Sequence, residues 1–166
     1  KTEDGIEWNH NSSIDISDFN NTLGTIGHGN HFAELQAIEK VVDQELFKEY
    51  GLNENSVYLM IHSGSRGFGK KVLDIHLNKF GTKGLEIGCD DFKEYMAHHN
   101  NALKWARKNR TIIAQRFIND IGIDFDKCKC ILDIYHNYLA PKSVDSFTDL
   151  KDILKTNNNS QSNTET

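Results

Sequence analysis

Gly24-Thr25-Ile26-Gly27-His28-Gly29-Asn30-His31-Phe32-Ala33-Glu34 is the stretch around which this chain is organised. Glycine accepts positive φ without a Cβ clash, so three glycines this close let the backbone turn tightly and approach a ligand. Directly behind them come an amide, an imidazole, an aromatic ring and a carboxylate. A second stretch, His62-Ser63-Gly64-Ser65-Arg66-Gly67-Phe68-Gly69, repeats the design after the apolar run Val57-Tyr58-Leu59-Met60-Ile61. The pairing predicts two turns that face one site.

The flanking patterns supply the elements. Residues 30–38 alternate as a strand, with Phe32, Glu34 and Gln36 on one face and His31, Ala33, Leu35 and Ala37 on the other. Residues 43–50 predict a short helix stopped by Gly51, and 56–61 a buried strand ending at His62. A helix is expected over 70–80, with Val72, Ile75, Leu77 and Phe80 packing and Gly81 as its stop. Strand, glycine turn and helix in that order put the turn at the strand's carboxyl end, where α/β folds commonly bind ligands. The longest element is a helix over about 91–120, with Phe92, Met96, His99, Leu103, Ala106, Ile113, Phe117 and Ile121 as its apolar stripe. Asp90 and Asp91 suit its positive end, and Gly122 ends it. Residues 128–135 alternate again as a strand and end on His136-Asn137. Ile14 and Ile16 suggest a short strand in the polar lead-in, Pro141 closes the last strand region, and 156–166 read as a disordered polar tail. The expected fold is α+β (mixed α/β).

The 166 residues suit a single domain, and a net charge of −5 argues against a globally basic nucleic-acid binder. No apolar run approaches the roughly 20 residues that span a bilayer. Cys89, Cys128 and Cys130 make an odd count with no signal peptide, which favours a reducing compartment. A cytoplasmic or otherwise intracellular soluble protein is the expectation. Cys128 and Cys130 read more readily as small buried residues sharing a face than as a metal pair. The chain starts at Lys1 rather than methionine, as a trimmed chain or part of a longer one would.

Three of the eight histidines, His31, His62 and His136, follow apolar runs or glycine turns. Neutral imidazole is the commonest nitrogen ligand for first-row metals, and a site built from strand ends needs no local spacing. Three unrelated polar residues capping strands is the plainer alternative. His10 and His76 read as solvated, and His99 as a satisfied core histidine. Ser63, Ser65 and Arg66 before a helix suit a phosphate, although the spacing is not that of a Walker A loop. Lys104, Arg107 and Lys108 share a helix face that suits either a phosphate backbone or bulk solvent.

Four motifs together resemble one family, the RtcB RNA ligases. Residues 24–34 resemble its Gly-Thr-Leu-Gly-Gly-Gly-Asn-His-Phe-x-Glu motif, and 57–69 its strand followed by His-Ser-Gly-Ser-Arg-Gly-x-Gly. Asn100-Asn101-Ala102, Trp105-Ala106 and Asn109-Arg110 resemble its Met-Asn-Ala-Ala…Ala-x-x-Asn-Arg helix, and Asp133-Ile134-Tyr135-His136-Asn137 its strand ending in His-Asn. The matched region is about 22–140 within a partial ligase domain at 1–155. The resemblance implies GTP-dependent joining of an RNA 3′-phosphate or 2′,3′-cyclic phosphate to a 5′-hydroxyl, with two Mn²⁺ per complete site, in tRNA splicing or RNA repair. It implies His31 as ligand to one Mn²⁺, and His62 and His136 as ligands to the other. Asn30, His31, Phe32, Ala33, Glu34, His136 and Asn137 would line the GTP/GMP site, with Ser63, Ser65 and Arg66 beside the phosphates. Lys104, Arg107 and Lys108 would face RNA from broken or spliced tRNA.

The sequence also departs from the family. The Asp-x-Gly-Cys-Gly segment that supplies two metal ligands has no counterpart here, since Gly88-Cys89-Asp90 stands elsewhere. The Ser-His-Gly-Ala-Gly-Arg segment that carries the guanylated histidine is likewise missing, and His28 replaces a motif glycine. The expectation is a chain that lacks the nucleophile and is inactive alone. It would be completed by ligase segments on another chain, or be a non-catalytic RNA- or nucleotide-binding relative.

Overall fold

Antiparallel pairing of two short strands sets the two glycine turns side by side. The computed structural model describes residues 14–140. In chain order these form a 3-10 helix (Ile16–Thr22), β1 (Phe32–Ala37), α1 (Gln44–Glu49), β2 (Val57–His62), α2 (Phe68–Phe80), α3 (Asp90–Asp120) and a second 3-10 helix (Phe125–Lys127). The architecture is α+β, as expected. The chain divides into two compact units, Lys1–His136 and Asn137–Thr166. Of the second, residues 137–140 are described; they are exposed and without regular structure. His10, Pro141 and the expected tail at 156–166 lie outside the described residues.

β1 and β2 pair with Phe32 opposite His62 and Ala37 opposite Val57. The expected face alternation therefore holds, because directly opposed residues point to the same side of the sheet. The arrangement is antiparallel rather than the parallel order in which strand ends usually carry ligands. β2 is also not the buried strand its composition suggests: Val57 is 65% and Met60 48% exposed. Only two strands pair among the described residues, and a lone pair of strands is marginal by itself.

The helices begin and end where local chemistry says they should. Asp43 caps α1 by accepting from the Glu45 and Leu46 N–H groups, and Gly81 N–H closes α2 on the Leu77 carbonyl. Cys89 Sγ accepts from Phe92 N–H at the start of α3, with Asp90 and Asp91 in its first turn. In α2, Val72 is buried and Ile75 and Phe80 are half-buried, but Leu77 is exposed. The core joins Ile14, Phe68, Val72, Ala102 and Trp105, with Phe19 stacked on Phe68 at 4.9 Å between centroids. Ile14 thus belongs to the core, while Ile16 opens a helical turn and not a strand. Asp15 directs this by accepting the Ser17 N–H.

α3 turns inward a face that only partly overlaps the one its apolar residues predict. Ala97, His98, Asn101, Ala102, Trp105, Ala106, Asn109, Ile113 and Ile118 are buried. Of the expected stripe Ala106 and Ile113 are buried, Phe92, Met96, His99, Leu103 and Phe117 half-buried and Ile121 exposed, while two asparagines and a histidine share the buried face. His99, expected in the core, is half-buried against Tyr95, and His98 is the buried one at 1% exposure. His76 is not solvated either. It packs edge-on against Tyr95, and its Nδ1 is buried without a hydrogen bond.

Residues 128–135 take no regular structure and join no ladder among the described residues, so the expected third strand is not formed. Cys128 and Cys130 are exposed free thiols rather than buried small residues. Alternation makes a strand possible, but the outer edges of β1 and β2 take no third strand among the described residues. Among the described residues no helix is long and apolar enough to cross a membrane.

Burial holds the His98 pKa below 6.5, with Glu94 partly opposing the shift. Because the folded chain resists protonation there, the unfolded chain binds more protons below pH 6.5. Stability is thus expected to be full above that pH and to fall as pH drops beneath it. His98→Gln should flatten the dependence of the urea midpoint on pH between about 6.5 and 5. An unchanged slope would remove His98 as its source.

Candidate functional site

Asn109 of α3 ties the two glycine turns into one body. Its Oδ1 accepts the Gly24 N–H at 2.6 Å, while its Nδ2 reaches Thr25 O at 3.1 Å, Ser63 Oγ at 3.0 Å and Gly64 O at 3.3 Å. Two hydrogens shared among three acceptors make one of these bonds bifurcated. Ser63 Oγ donates onward to Ile26 O at 2.6 Å, and Arg66 Nε donates to Thr25 Oγ1 at 3.1 Å. Arg116 Nη1 donates to Gly24 O at 2.8 Å. The expected facing of the two turns is therefore realised, by direct bonds between them and by the helix residue Asn109 that ties both.

This scaffold sets the histidines. Phe32 opposes His62 across the sheet, so His31, one residue before β1, lies beside the last residue of β2. The His31 and His62 rings meet edge-on with centroids 5.6 Å apart, and Phe32 meets His62 at 5.7 Å. His136 approaches from residues 128–136, with its Nε2 3.1 Å from His62 Nε2. So the three histidines named from sequence do come together, though the last comes from an irregular segment and not from a strand. Among the described residues no group of three or more His, Cys, Asp or Glu side chains is placed to hold a metal ion.

Two observations bear on whether these residues suit a divalent cation. Two imidazole nitrogens on one ion at about 2.0–2.1 Å, separated by roughly 90–109°, stand about 3 Å apart, which the His62–His136 pair matches. His31 Nδ1 is buried with no hydrogen-bond partner. A Cβ on Gly27 would run into that nitrogen and into Arg66 Nη1. The glycine therefore keeps open the space in which both groups meet. Burial, then electrostatic repulsion from His62, Arg66 and His28, holds the His31 pKa below 6.5. It stays neutral at pH 7, the form with a free lone pair. The donor set is compatible with a divalent ion and leaves other positions to be filled.

Arg66 is the one non-glycine with positive φ, +49°, among the described residues. Backbone strain of that kind concentrates at functional sites. Ser65 Oγ accepts the Gly69 N–H in the first turn of α2, and Ser63 is occupied between the turns. His28 is exposed and has ordinary φ, so it replaces a motif glycine without backbone strain. Asn30 and Glu34 are exposed, Phe32 and Ala33 half-buried, and Asn137 opens the second unit. Lys104 and Arg107 are exposed, with Lys108 half-buried on the same helix.

In the sequence Arg110 stands only as one of the basic residues between Lys104 and Arg116, and Asn109 and Asp133 have no role of their own. Arg110 Nε donates to Asp133 Oδ1 at 2.8 Å, its Nη2 bonds the same oxygen, and its Nη1 donates to Ser63 O at 3.2 Å. The only sequence signal was their place inside matched motifs.

The tRNA-splicing ligase RtcB family matches residues 4–151. The chain is 40% identical over 138 residues to the RNA-splicing ligase RtcB2 of Escherichia coli, covering 83% of this chain and 36% of that protein. It is 47% identical over 138 residues to the tRNA-splicing ligase RtcB of Nanoarchaeum equitans, and 33% identical over 135 residues to that of Archaeoglobus fulgidus. Each of these two matches covers 69% of this chain and 28% of the relative. The chain thus spans about a third of the length of these relatives. On the extent of these matches, the chain belongs to the tRNA-splicing ligase RtcB family.

Proposed function

We propose that this chain supplies part of the metal and nucleotide site of an RNA ligase that joins a 3′-phosphate or 2′,3′-cyclic phosphate end to a 5′-hydroxyl end, using GTP and Mn²⁺. The observation that carries the reading is the 3.1 Å approach of the His62 and His136 Nε2 atoms beside the orphaned Nδ1 of His31. A divalent metal would supply charge neutralisation at the attacking and leaving oxygens of phosphoryl transfer. His62 and His136 hold one ion, and His31 contributes to the other. Asn30 to Glu34, His136 and Asn137 bound the guanylate site. Ser65 and the strained Arg66 face the phosphates, and Ser63 fixes the turn that presents them. Lys104, Arg107 and Lys108 take the RNA backbone.

The sequence contains no Ser-His-Gly-Ala-Gly-Arg segment, so the chain alone is expected to take no covalent label from GTP and Mn²⁺. Stable label on it would contradict this. His62→Ala and His136→Ala are each expected to weaken Mn²⁺ binding at least about tenfold, read from the free-ion electron paramagnetic resonance signal. Binding indifferent to both substitutions would sink the metal assignment.

A second reading is favoured because, among the described residues, no group of three or more potential ligands is placed to hold a metal ion. In it, the chain is a non-catalytic RNA- or nucleotide-binding relative, or one that pairs with ligase segments on another chain. RNA affinity that falls steeply with salt, with no dependence on Mn²⁺, would select the RNA-binding form. Co-purification with a chain bearing the missing segments would select pairing.

A further inference from the structure

We propose that Arg110 and Asp133 are positioning residues that set the separation of the His62 and His136 nitrogens. This rests on the metal reading above only for its ligand; the geometry is independent of it. Arg110 sits on α3 with its side chain 14% exposed, and Asp133 is 13% exposed. The guanidinium forks onto Asp133 Oδ1 through Nε and Nη2 and reaches Ser63 O, next to His62, through Nη1. Its Cζ also lies 5.5 Å from the Tyr135 ring centroid, next to His136. One side chain thus grips the residue after one histidine, the residue before the other, and a carboxylate three residues ahead of the latter. Arg107 Nε adds a longer contact to Asp133 Oδ2 at 3.3 Å.

The segment carrying His136 needs such a clamp. It forms no ladder among the described residues, Leu132 and Ile134 are 58% and 61% exposed, and Ile131 and Tyr135 are only half-buried, so backbone pairing is absent and apolar burial is slight. A planar fork holds direction as well as distance, which a lysine ammonium cannot do. Groups that orient metal ligands typically change affinity about 10–100-fold when removed.

The test uses the full chain at pH 8 in three forms: unchanged, Arg110→Met and Asp133→Asn. Circular dichroism checks folding. Without metal, the imidazole ¹⁵N shifts of His62 and His136 report their contact. Both variants are expected to move these shifts towards those of solvated rings while leaving His98 unmoved. With Co²⁺ as the probe ion, affinity is expected to fall about 10–100-fold in each variant. The double variant should lose little more than either single, since one clamp is cut from two ends. Unchanged His62 and His136 shifts in a folded Asp133→Asn chain would overturn the proposal. So would Co²⁺ affinity that stays at the unsubstituted level while the ring shifts hold. Should Arg110→Met unfold, the Asp133→Asn shifts decide alone. If the unsubstituted chain binds no Co²⁺, the metal reading fails, and the shifts still decide the clamp.

Discussion

Asn109→Leu is expected to destabilise the fold by about 3–5 kcal/mol, enough to unfold much of a marginally stable domain. Leucine is close in size, so packing alone would change little. The loss comes from what the amide leaves behind: the Gly24 N–H, two carbonyls and the Ser63 hydroxyl, all turned towards a side chain that no longer answers them. An unmade bond to a buried group costs about 1–3 kcal/mol, and partial relaxation keeps the sum below the simple total. Asn109→Asp keeps the acceptor for Gly24 but sets a carboxylate oxygen against Thr25 O and Gly64 O. It should also be destabilised, though less at low pH, where that carboxyl is protonated and can donate. Urea midpoints of the two variants at pH 7 and pH 4, compared with the unsubstituted chain, read this out. A loss under about 1 kcal/mol for leucine would mean that the turns hold themselves.

Gly24→Val is expected to cost about 3 kcal/mol, by two separable routes. At φ +74° an L residue is strained by about 1–2 kcal/mol, and a β-branched one suffers most. The remainder is space: a Cβ there would lie 2.5 Å from Arg116 Nη1 and 2.6 Å from Ile112 Cγ2. The arginine tip can swing away, at the expense of its bond to Gly24 O, but the short isoleucine side chain on α3 cannot. Gly29 separates the two routes, since its φ is +75° and nothing lies within 4 Å of its Cβ position. Gly29→Val should show the strain cost alone. Equal losses at Gly24 and Gly29 in thermal or urea unfolding would refute the packing contribution.

Much of the architecture was legible residue by residue. The capped starts of α1 and α3, the stop at Gly81, and both paired strands follow from signals within a few residues of each boundary. Those signals are local because helix hydrogen bonds and caps join near neighbours. The buried side of α3 was legible only in part, at Ala106 and Ile113. It is chosen by partners far along the chain: Asn109 is inside because Gly24, Thr25, Ser63 and Gly64 present matching groups to it. Residues 128–135 failed for a related reason, since alternation describes a strand's faces and says nothing about whether the segment is carried to an edge it can pair with.

The candidate site divides the same way. Sequence alone determined the chemical inventory: two glycine-rich turns, the imidazoles at residues 31, 62 and 136, an arginine before a helix, and through their motifs the family. These are properties of residue type and short spacing. Tertiary structure decided that the imidazoles meet, because the antiparallel register puts Phe32 opposite His62 and Arg110 draws in the segment carrying His136. It also turned Asn109 into the fastener of both turns. Convergence of this kind depends on distances between residues remote in the chain, and no local pattern encodes those.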